Sequence, residues 1–256
     1  MKSKENKQNI LEAHNSITIA VVIPSYNEIF ALPQFLMELS TVLSKDHAII
    51  VMDDSEKKIS QHLRQKCYEI MNPSDILFFY NWNAIKSGRG AAVRRGFELS
   101  LNIFPNLTKI IECDADNSHQ VADIKKLVLI NDSFDLVIGS RYLPESNIIG
   151  WPLSRRIFSR ILNFVIPRIF NVPTTDITNG LRLYSKQAIE YICTFPQKNT
   201  GFIYLTESLV HLSKMDFKIL DIPITFINRT LGESTVNSSE LRESFCGFIK
   251  LLTSEK

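Results

Sequence analysis

Two aspartates two positions apart, Asp114 and Asp116, are the side chains of this sequence best suited to chemistry. They follow Ile110 and Ile111, a pattern typical of a buried strand, so we expect them where the chain leaves a sheet. Such a pair can share one divalent cation, or one carboxylate can bind the cation while the other binds a sugar or ribose. Mg²⁺ and Mn²⁺ prefer oxygen ligands, and substrate phosphates often complete their coordination. The pair therefore predicts a metal-dependent phosphate site. A D-x-D motif by itself would rather indicate solvated loop residues that cap the next helix.

Three more polar clusters follow predicted strands. They are Pro24–Glu28, Asp53-Asp54 and Gly139–Tyr142. Ligands of open α/β sheets bind beyond the carboxyl ends of the strands. If the strands are neighbours, all four clusters meet at one rim, and this convergence favours a ligand site over unrelated loops. Of the five histidines, which lack metal-ligand spacing, His119 is the one expected near that rim.

Positive charge can reach the same rim from a loop and from two arginines. The glycines of Lys86–Gly90 would let backbone N–H groups face an anion, although a tight loop for helix packing explains them equally well. Arg141 follows one predicted strand and Arg229 lies beyond another. A guanidinium group matches phosphate geometry, whereas a single arginine is more often part of a surface ion pair.

The elements that position these clusters alternate between strand and helix up to Gly139. This alternation predicts an α/β fold with a mostly parallel central sheet flanked by helices. The predicted strands are Ile17–Ile23, His47–Met52, Ile76–Tyr80, Lys109–Cys113 and Phe134–Ile138, and the helices begin at Pro33 or span Gly90–Leu101 and Val121–Ile130.

The second half is less regular. It contains predicted helices at Ser154–Phe170 and Phe202–Leu212, a polar, turn-like segment at Asp176–Leu183 and a strand at Phe217–Phe226. A short apolar segment, Phe245–Leu252, lies near the end.

Composition restricts the class of protein. The chain has 256 residues, 45% of them hydrophobic and 22% charged, and a net charge of +2, so it is a globular chain without general affinity for polyanions. No apolar run approaches the roughly 18 residues that span a bilayer, and Met1–Ser16 is too polar for a secretory signal. The four cysteines are far apart, which predicts reduced thiols and a cytoplasmic location.

In their order along the chain, these motifs resemble the family 2 glycosyltransferases, and most closely their dolichyl-phosphate mannose synthase branch with its bacterial polyprenyl-phosphate relatives. The resemblance covers roughly residues 17–236. The six motifs that carry it are Val22–Glu28, Asp53-Asp54, Lys86-x-Gly-x-Gly90, Asp114-Ala-Asp-x-x-His119, Gly139–Tyr142 and Arg229-x-x-Gly-Glu-Ser234.

The resemblance implies a GT-A fold and an inverting transfer of a sugar from a nucleotide-diphosphate sugar to a polyprenyl or dolichyl phosphate, with Mg²⁺ or Mn²⁺ as cofactor. It divides the chain into a polar N-terminal extension (1–16), a catalytic domain (17–236) and a C-terminal tail (237–256).

The resemblance also assigns roles to single residues. Asp114 and Asp116 would bind the metal, with Asp116 the first choice, and Arg141 and Arg229 would contact the donor diphosphate or acceptor phosphate. Arg155 and Ser159 would face the acceptor phosphate. The residues implied for the nucleotide sugar are Pro24, Tyr26, Glu28, Met52, Asp54, Lys86, Asp114 and Ala115.

Three positions depart from the family pattern. Ser55–Lys58 replaces the usual Gly-Ser after the paired aspartates, Thr235 replaces a lysine, and Asn179-Gly-Leu181 replaces the commoner Ser-Gly-Phe. They leave base specificity and phosphate affinity open but retain the D-x-D pair, which predicts an active enzyme.

Two other functions are compatible with the same motifs. One is transfer to a saccharide hydroxyl, as in cell-envelope polysaccharide synthesis, which needs a general base. Asp176 is the first candidate for that base and Glu207 the second. The other is a non-catalytic nucleotide-binding module.

A lipid acceptor would require access to a membrane. The Ser154–Phe170 helix carries Arg155, Arg156 and Arg160 beside apolar residues, so it could lie in the membrane interface, although a half-buried core helix fits the pattern equally well. Together with Phe245–Leu252, it predicts peripheral attachment to the cytoplasmic membrane face; recruitment by a membrane-embedded partner protein is the alternative. No nucleic acid partner is expected.

Overall fold

The computed structural model describes residues 11–131, 133–199, 201 and 203–229. The C-terminal tail with Phe245–Leu252, Thr235 and most of the predicted N-terminal extension lie outside the described residues.

The centre of the structure is a seven-stranded sheet with strand order β3-β2-β1-β4-β7-β5-β8. β7 runs antiparallel to both of its neighbours, and the other pairings are parallel, so the carboxyl ends of β1–β5 and β8 share one edge. A separate parallel pair joins β6 and β9. The strands are β1 (Ile19–Ser25), β2 (His47–Asp53), β3 (Leu77–Trp82), β4 (Lys109–Glu112), β5 (Leu136–Ser140), β6 (Asn147–Ile149), β7 (Arg182–Ser185), β8 (Ile219–Pro223) and β9 (Thr225–Ile227).

Helices cover both faces of the sheet. They are α1 (Ala31–Leu39), α2 (Lys57–Met71), α3 (Arg89–Ile103), α4 (Val121–Val128), α5 (Leu153–Phe170), α6 (Lys186–Thr194) and α7 (Tyr204–Lys214). Alternate residues of the central strands therefore enter two different cores. Val22 and Ile50 pack with α3, α6 and α7, whereas Val21 and Ile49 pack with α1, α2 and α4. This double burial explains the unbroken apolar runs of β1 and β2.

One glycine is required where α3 approaches the sheet. A Cβ atom at Gly96 would overlap Cγ1 of Val22 in β1. The absence of a side chain lets the helix lie close against the strands, and so fixes the loop that precedes it.

The predicted α/β architecture is confirmed, but four elements were not predicted. α2 was missed because a polar residue, Ser60, occupies one of its four buried positions and interrupts the apolar period. β6 and α6 were missed too, and the turn-like interpretation of Asp176–Leu183 was wrong at its end, where β7 begins.

The predicted strand Phe217–Phe226 is divided in two. β8 ends at Pro223, which has no N–H to continue the ladder, and β9 pairs with β6 in the second sheet. This crossing carries the chain to Arg229 at the strand-end rim.

Candidate active site

The register of the sheet brings the predicted clusters together. Ser25 of β1 pairs with Asp53 of β2, and the Asp54 amide donates to the Ser25 carbonyl (3.0 Å). On the other side of β1, the Cys113 amide donates to Val22 (3.3 Å), so Asp114 begins at the same edge. The convergence predicted from the sequence is therefore present.

Asp116 belongs to a cluster of carboxylates that surrounds one arginine. Nη2 of Arg229 lies 2.8 Å from Oδ2 of Asp116, and its Nη1 lies 3.5 Å from Oε1 of Glu28. Burial, reinforced by Asp116 and Asp114 and opposed by Arg229, raises the pKa of Glu28 to about 7. The cluster therefore concentrates negative charge, and a cation lowers the cost of keeping it ionised.

The carboxylate of Asp114 is bound by Arg89. Nε and Nη2 of Arg89 donate to Oδ1 of Asp114 at 2.9 and 2.6 Å, and Nη1 donates to Glu112. Burial of Asp114 opposes its ionisation, but Arg89, followed by His119, keeps the pKa of this carboxyl below its ordinary value. Arg89 and Glu112 were not among the predicted site residues, although a glutamate inside an apolar strand indicates that a buried cation lies nearby.

His119 lies at the site, as predicted. Its Nδ1 accepts from the Asp114 amide (3.1 Å), and its Nε2 is 3.0 Å from Oδ1 of Asn179. The imidazole thus connects the D-x-D loop to the first residue of the unusual Asn179-Gly-Leu181 triplet.

The pocket implied for the nucleotide is built around Asp54. Its Oδ2 accepts from the amide and hydroxyl of Ser87 (2.9 and 2.7 Å), and its Oδ1 accepts from Nη2 of Arg95 (2.5 Å). Lys86 Nζ lies 4.1 Å from the centre of the Tyr26 ring. Since Asp54 already uses the Ser87 amide, the 86–90 loop acts less as an open anion cradle than as a close-packed turn.

Other residues implied for the nucleotide line the same edge. Pro24 is half-buried and lies opposite the buried Met52 in the register of β1 and β2. Ala115, also buried, separates the two aspartates. Gly90 confirms the tight packing of the adjacent loop, because a Cβ there would lie 2.5 Å from Cγ of Tyr204.

Ser55 takes the place of the glycine that the resemblance leads one to expect. Its hydroxyl donates to Oδ1 of Asp53 (2.5 Å) and accepts from the Asn27 amide (2.7 Å), and Trp82 Nε1 donates to its carbonyl (2.9 Å). The substitution thus connects β1, β2 and β3 rather than disrupting the loop.

A second group of charges surrounds Arg141. Its guanidinium makes a bidentate pair with the buried Asp176 (2.7 and 2.8 Å), whose Oδ2 also accepts from the Arg141 amide. Arg155 lies 4.0 Å above the Trp151 ring, and Arg141 is 5.2 Å from that ring. Partial desolvation, then repulsion by Arg141 and Arg229, lowers the pKa of Arg155. Three guanidinium groups therefore act on one region, which favours an anion there.

Ser159 lies one helical turn beyond Arg155, and its hydroxyl accepts from the Tyr142 hydroxyl (2.6 Å). The two residues implied for the acceptor phosphate are therefore on the same side of α5, beside the Arg141 loop.

Buried polar atoms without a hydrogen-bond partner concentrate at this rim. Within the part of the chain that the structure describes, there are five: Ser25 Oγ, Arg95 Nε, Asn117 Oδ1, Ser118 Oγ and Trp151 Nε1. Each belongs to a strand end, to the D-x-D loop or to a contact of Asp54 or Arg141. Because an unsatisfied buried group costs about 1–3 kcal/mol, this distribution is typical of a site completed by a polar ligand.

Comparison with known proteins identifies the family. Residues 20–193 match Glycosyl transferase family 2. The chain is 30% identical over 227 residues to an undecaprenyl-phosphate mannosyltransferase of Micrococcus luteus, covering 88% of this chain and 90% of that protein. The chain belongs to glycosyl transferase family 2. A second relative, polyprenol monophosphomannose synthase of Mycolicibacterium smegmatis, is 29% identical, with 88% and 83% covered.

Solved structures show the same fold. Glucosyl-3-phosphoglycerate synthase of Mycobacterium tuberculosis in complex with Mn²⁺, UDP and phosphoglyceric acid superimposes with a TM-score of 0.63 at 14% identity, covering 96% of this chain and 82% of that one. The same enzyme is known with Mg²⁺ and UDP. The predicted GT-A fold is confirmed, and the chain is a glycosyltransferase rather than a non-catalytic module.

The residues of this family 2 glycosyltransferase fit a hard divalent cation. Asp114 and Asp116 would supply carboxylate oxygens, and the same loop holds two buried neutral oxygens without a hydrogen-bond partner, Ser118 Oγ and Asn117 Oδ1. Among residues 11–229 as far as they are described, no three His, Cys, Asp or Glu side chains form a complete metal cage. A site with only a few protein oxygen ligands suits Mg²⁺ or Mn²⁺, because substrate phosphates can provide the remaining ligands.

The two candidates for a general base are both engaged elsewhere. Asp176 is fully buried against Arg141, and Glu207, 1% exposed, accepts from the amides of Lys198 and Asn199 (both 3.1 Å). This geometry argues against either residue deprotonating a sugar hydroxyl, since a base must reach the proton that it removes.

Proposed function

We propose that this glycosyltransferase transfers a sugar from a nucleotide-diphosphate sugar to a polyprenyl phosphate. The observation that carries the proposal is the arginine group, Arg141, Arg155 and Arg229, which adjoins the carboxylate cluster. These arginines place positive charge on the acceptor side of the site, where transfer to a hydroxyl would require a general base. The two relatives are named polyprenol monophosphomannose synthase and undecaprenyl-phosphate mannosyltransferase, which supports the same acceptor class.

The charged residues of the site have different roles in the proposed reaction. A phosphate acceptor is already ionised at neutral pH, so its oxygen can attack the sugar carbon without a general base. Arg155 and Ser159 orient that phosphate, and Arg141, fixed by Asp176, holds its charge near the donor. In-line placement of the two substrates then supplies much of the barrier reduction.

We further propose that Mg²⁺ or Mn²⁺ is held mainly by Asp116, with Asp114 beside it. Such an ion neutralises the charge that grows on the nucleoside diphosphate leaving group. Arg229 pairs with Asp116, and its guanidinium could contact a phosphate of the donor if the ion took over that carboxylate.

A panel of donors tests the acceptor class. We expect radiolabelled sugar from a GDP- or UDP-linked donor to partition into organic solvent when polyprenyl phosphate and Mn²⁺ are present, and to remain aqueous with EDTA. Label transferred instead to a water-soluble saccharide would contradict the lipid phosphate acceptor.

Helix α5 provides a surface for the membrane. Of its residues only Asn163, Ile166 and Pro167 are buried. Its exposed apolar side chains are Leu153, Ile157, Phe158, Ile161, Phe164, Val165 and Ile169. Arg156, Arg160 and Arg168 accompany them, a combination that suits an anionic lipid surface. We therefore propose peripheral binding to the cytoplasmic membrane face through α5. No described helix is long and apolar enough to cross a membrane.

Liposome sedimentation checks this role of α5. Replacing Phe158 and Phe164, 56% and 58% exposed, by serine should weaken binding to anionic vesicles about tenfold or more, because each loses the burial of an aromatic side chain in lipid. Met37→Ser, at an equally exposed apolar side chain of α1, is the matched control and should bind as the wild type does. Equal binding of all variants would exclude α5 as the membrane contact.

A further inference from the structure

A chain of buried charges lies behind the D-x-D loop. Glu112, at the end of β4, is fully buried, and the Arg89 side chain is 10% exposed. Glu112 pairs with Arg89 and accepts from the hydroxyls of Tyr184 (2.9 Å) and Tyr204. Arg89 then reaches Asp114 at the site.

Space is reserved for this arginine. A Cβ atom at Gly180 would overlap Nη2 of Arg89 and would lie 3.3 Å from Oδ1 of Asp114. Desolvating an ion pair costs several kcal/mol per ion, and apolar residues of similar volume often give equal or greater stability. Stability alone therefore does not account for an arginine at this position.

The contact with Asp114 is one-sided. Both Nε and Nη2 of Arg89 bind the same oxygen, Oδ1, at 2.9 and 2.6 Å. The other oxygen, Oδ2, lies 3.8 Å from His119 Nε2. Arg89 thus fixes the rotation of the carboxylate and determines which oxygen is presented to a ligand.

We propose that Arg89, anchored by Glu112, is a positioning residue that orients Asp114 so that its Oδ2 meets the metal-bound nucleotide donor. This role rests on the proposed function, which supplies the donor. Arg89 does for a carboxylate what outer partners do for metal-binding histidines, where their loss typically costs about 10–100-fold in affinity or activity.

The test uses a pair of substitutions that removes the buried charges together. Arg89→Met with Glu112→Gln removes both charges of the pair behind Asp114, so that only Asp114 loses a cationic partner. The glutamine can accept from one tyrosine hydroxyl through its amide oxygen and donate to the other through its amide nitrogen. Calorimetry with UDP and with GDP, each with Mn²⁺, should show affinity about 10–100-fold below that of the wild type, while the melting temperature shows that the variant is folded. In an Asp114→Ala background the same pair should have no further effect, because Arg89 acts through Asp114.

Arg94→Met is the matched control on the same helix. Arg94 donates to the carbonyls of Cys193 and Phe195 (2.6 and 2.7 Å) and pairs with Glu98 (3.0 Å) rather than with a carboxylate of the site, so its loss should lower the melting temperature but not nucleotide affinity. A folded Arg89→Met/Glu112→Gln variant with wild-type affinity would overturn the positioning role alone. A wild type that binds neither nucleotide would overturn the proposed function, and this role with it.

Discussion

Asp116→Ala is expected to abolish sugar transfer while the protein stays folded. Asp116 pairs with Arg229 and accepts from the Ser118 amide (3.0 Å), and both partners lie in the site rather than in the two cores. Asp116 is proposed to hold the ion that would neutralise the charge developing on the leaving diphosphate, and the loss of such stabilisation costs at least about a hundred- to a thousandfold in rate. Transfer of radiolabelled sugar to polyprenyl phosphate, at saturating Mn²⁺, measures the loss.

The control is Asp75→Ala, which removes an exposed carboxylate remote from the rim. It should transfer sugar at the wild-type rate. Undiminished turnover by Asp116→Ala, with an unchanged response to Mn²⁺, would refute the assignment of Asp116 to the metal.

Asp176→Ala is expected to destabilise the fold and to disable the acceptor side together. It leaves the Arg141 guanidinium buried without its carboxylate, which typically costs about 3–5 kcal/mol in the free energy of unfolding. Denaturant unfolding measures this loss.

A neutral pair separates stability from function. Arg141→Gln with Asp176→Asn should recover most of the stability, but kcat/KM for polyprenyl phosphate should remain about a hundredfold or more below wild type, with nucleotide binding retained. Wild-type stability of Asp176→Ala would show that the ion pair does not hold the loop. Full recovery of kcat/KM in the double variant would show that Arg141 does not serve the acceptor.

The sequence was most informative where one physical requirement dominates. A strand buried on both faces must be continuously apolar, so β1 and β2 were predictable, and with them the edge at which Asp54 and Asp114 leave the sheet. Asp54 directly follows β2, and Asp114 lies two residues after the end of β4. The end of each strand therefore fixes where the aspartate lies in the structure.

The sequence was less informative where the position of a residue depends on contacts with distant segments of the chain. β7 runs against its neighbours, and its Arg182 is fully buried, donating to the carbonyls of Ile177, Asn179 and Leu205 (each 2.9 Å). In a sequence, an arginine that is buried among such carbonyls cannot be distinguished from an exposed polar residue. For the same reason, Asp176 was a plausible base until its partner, 35 positions away, was known.

Arg155 and Ser159 share one helix with the exposed Phe158 and Ile161. If α5 rests on a bilayer while Arg155 and Ser159 bind the acceptor phosphate, as proposed, turnover depends on the number of acceptor molecules per unit of membrane area and not on their concentration in the suspension. Diluting the acceptor with inert lipid at constant total acceptor should therefore slow the enzyme, whereas adding buffer to fully bound vesicles should not.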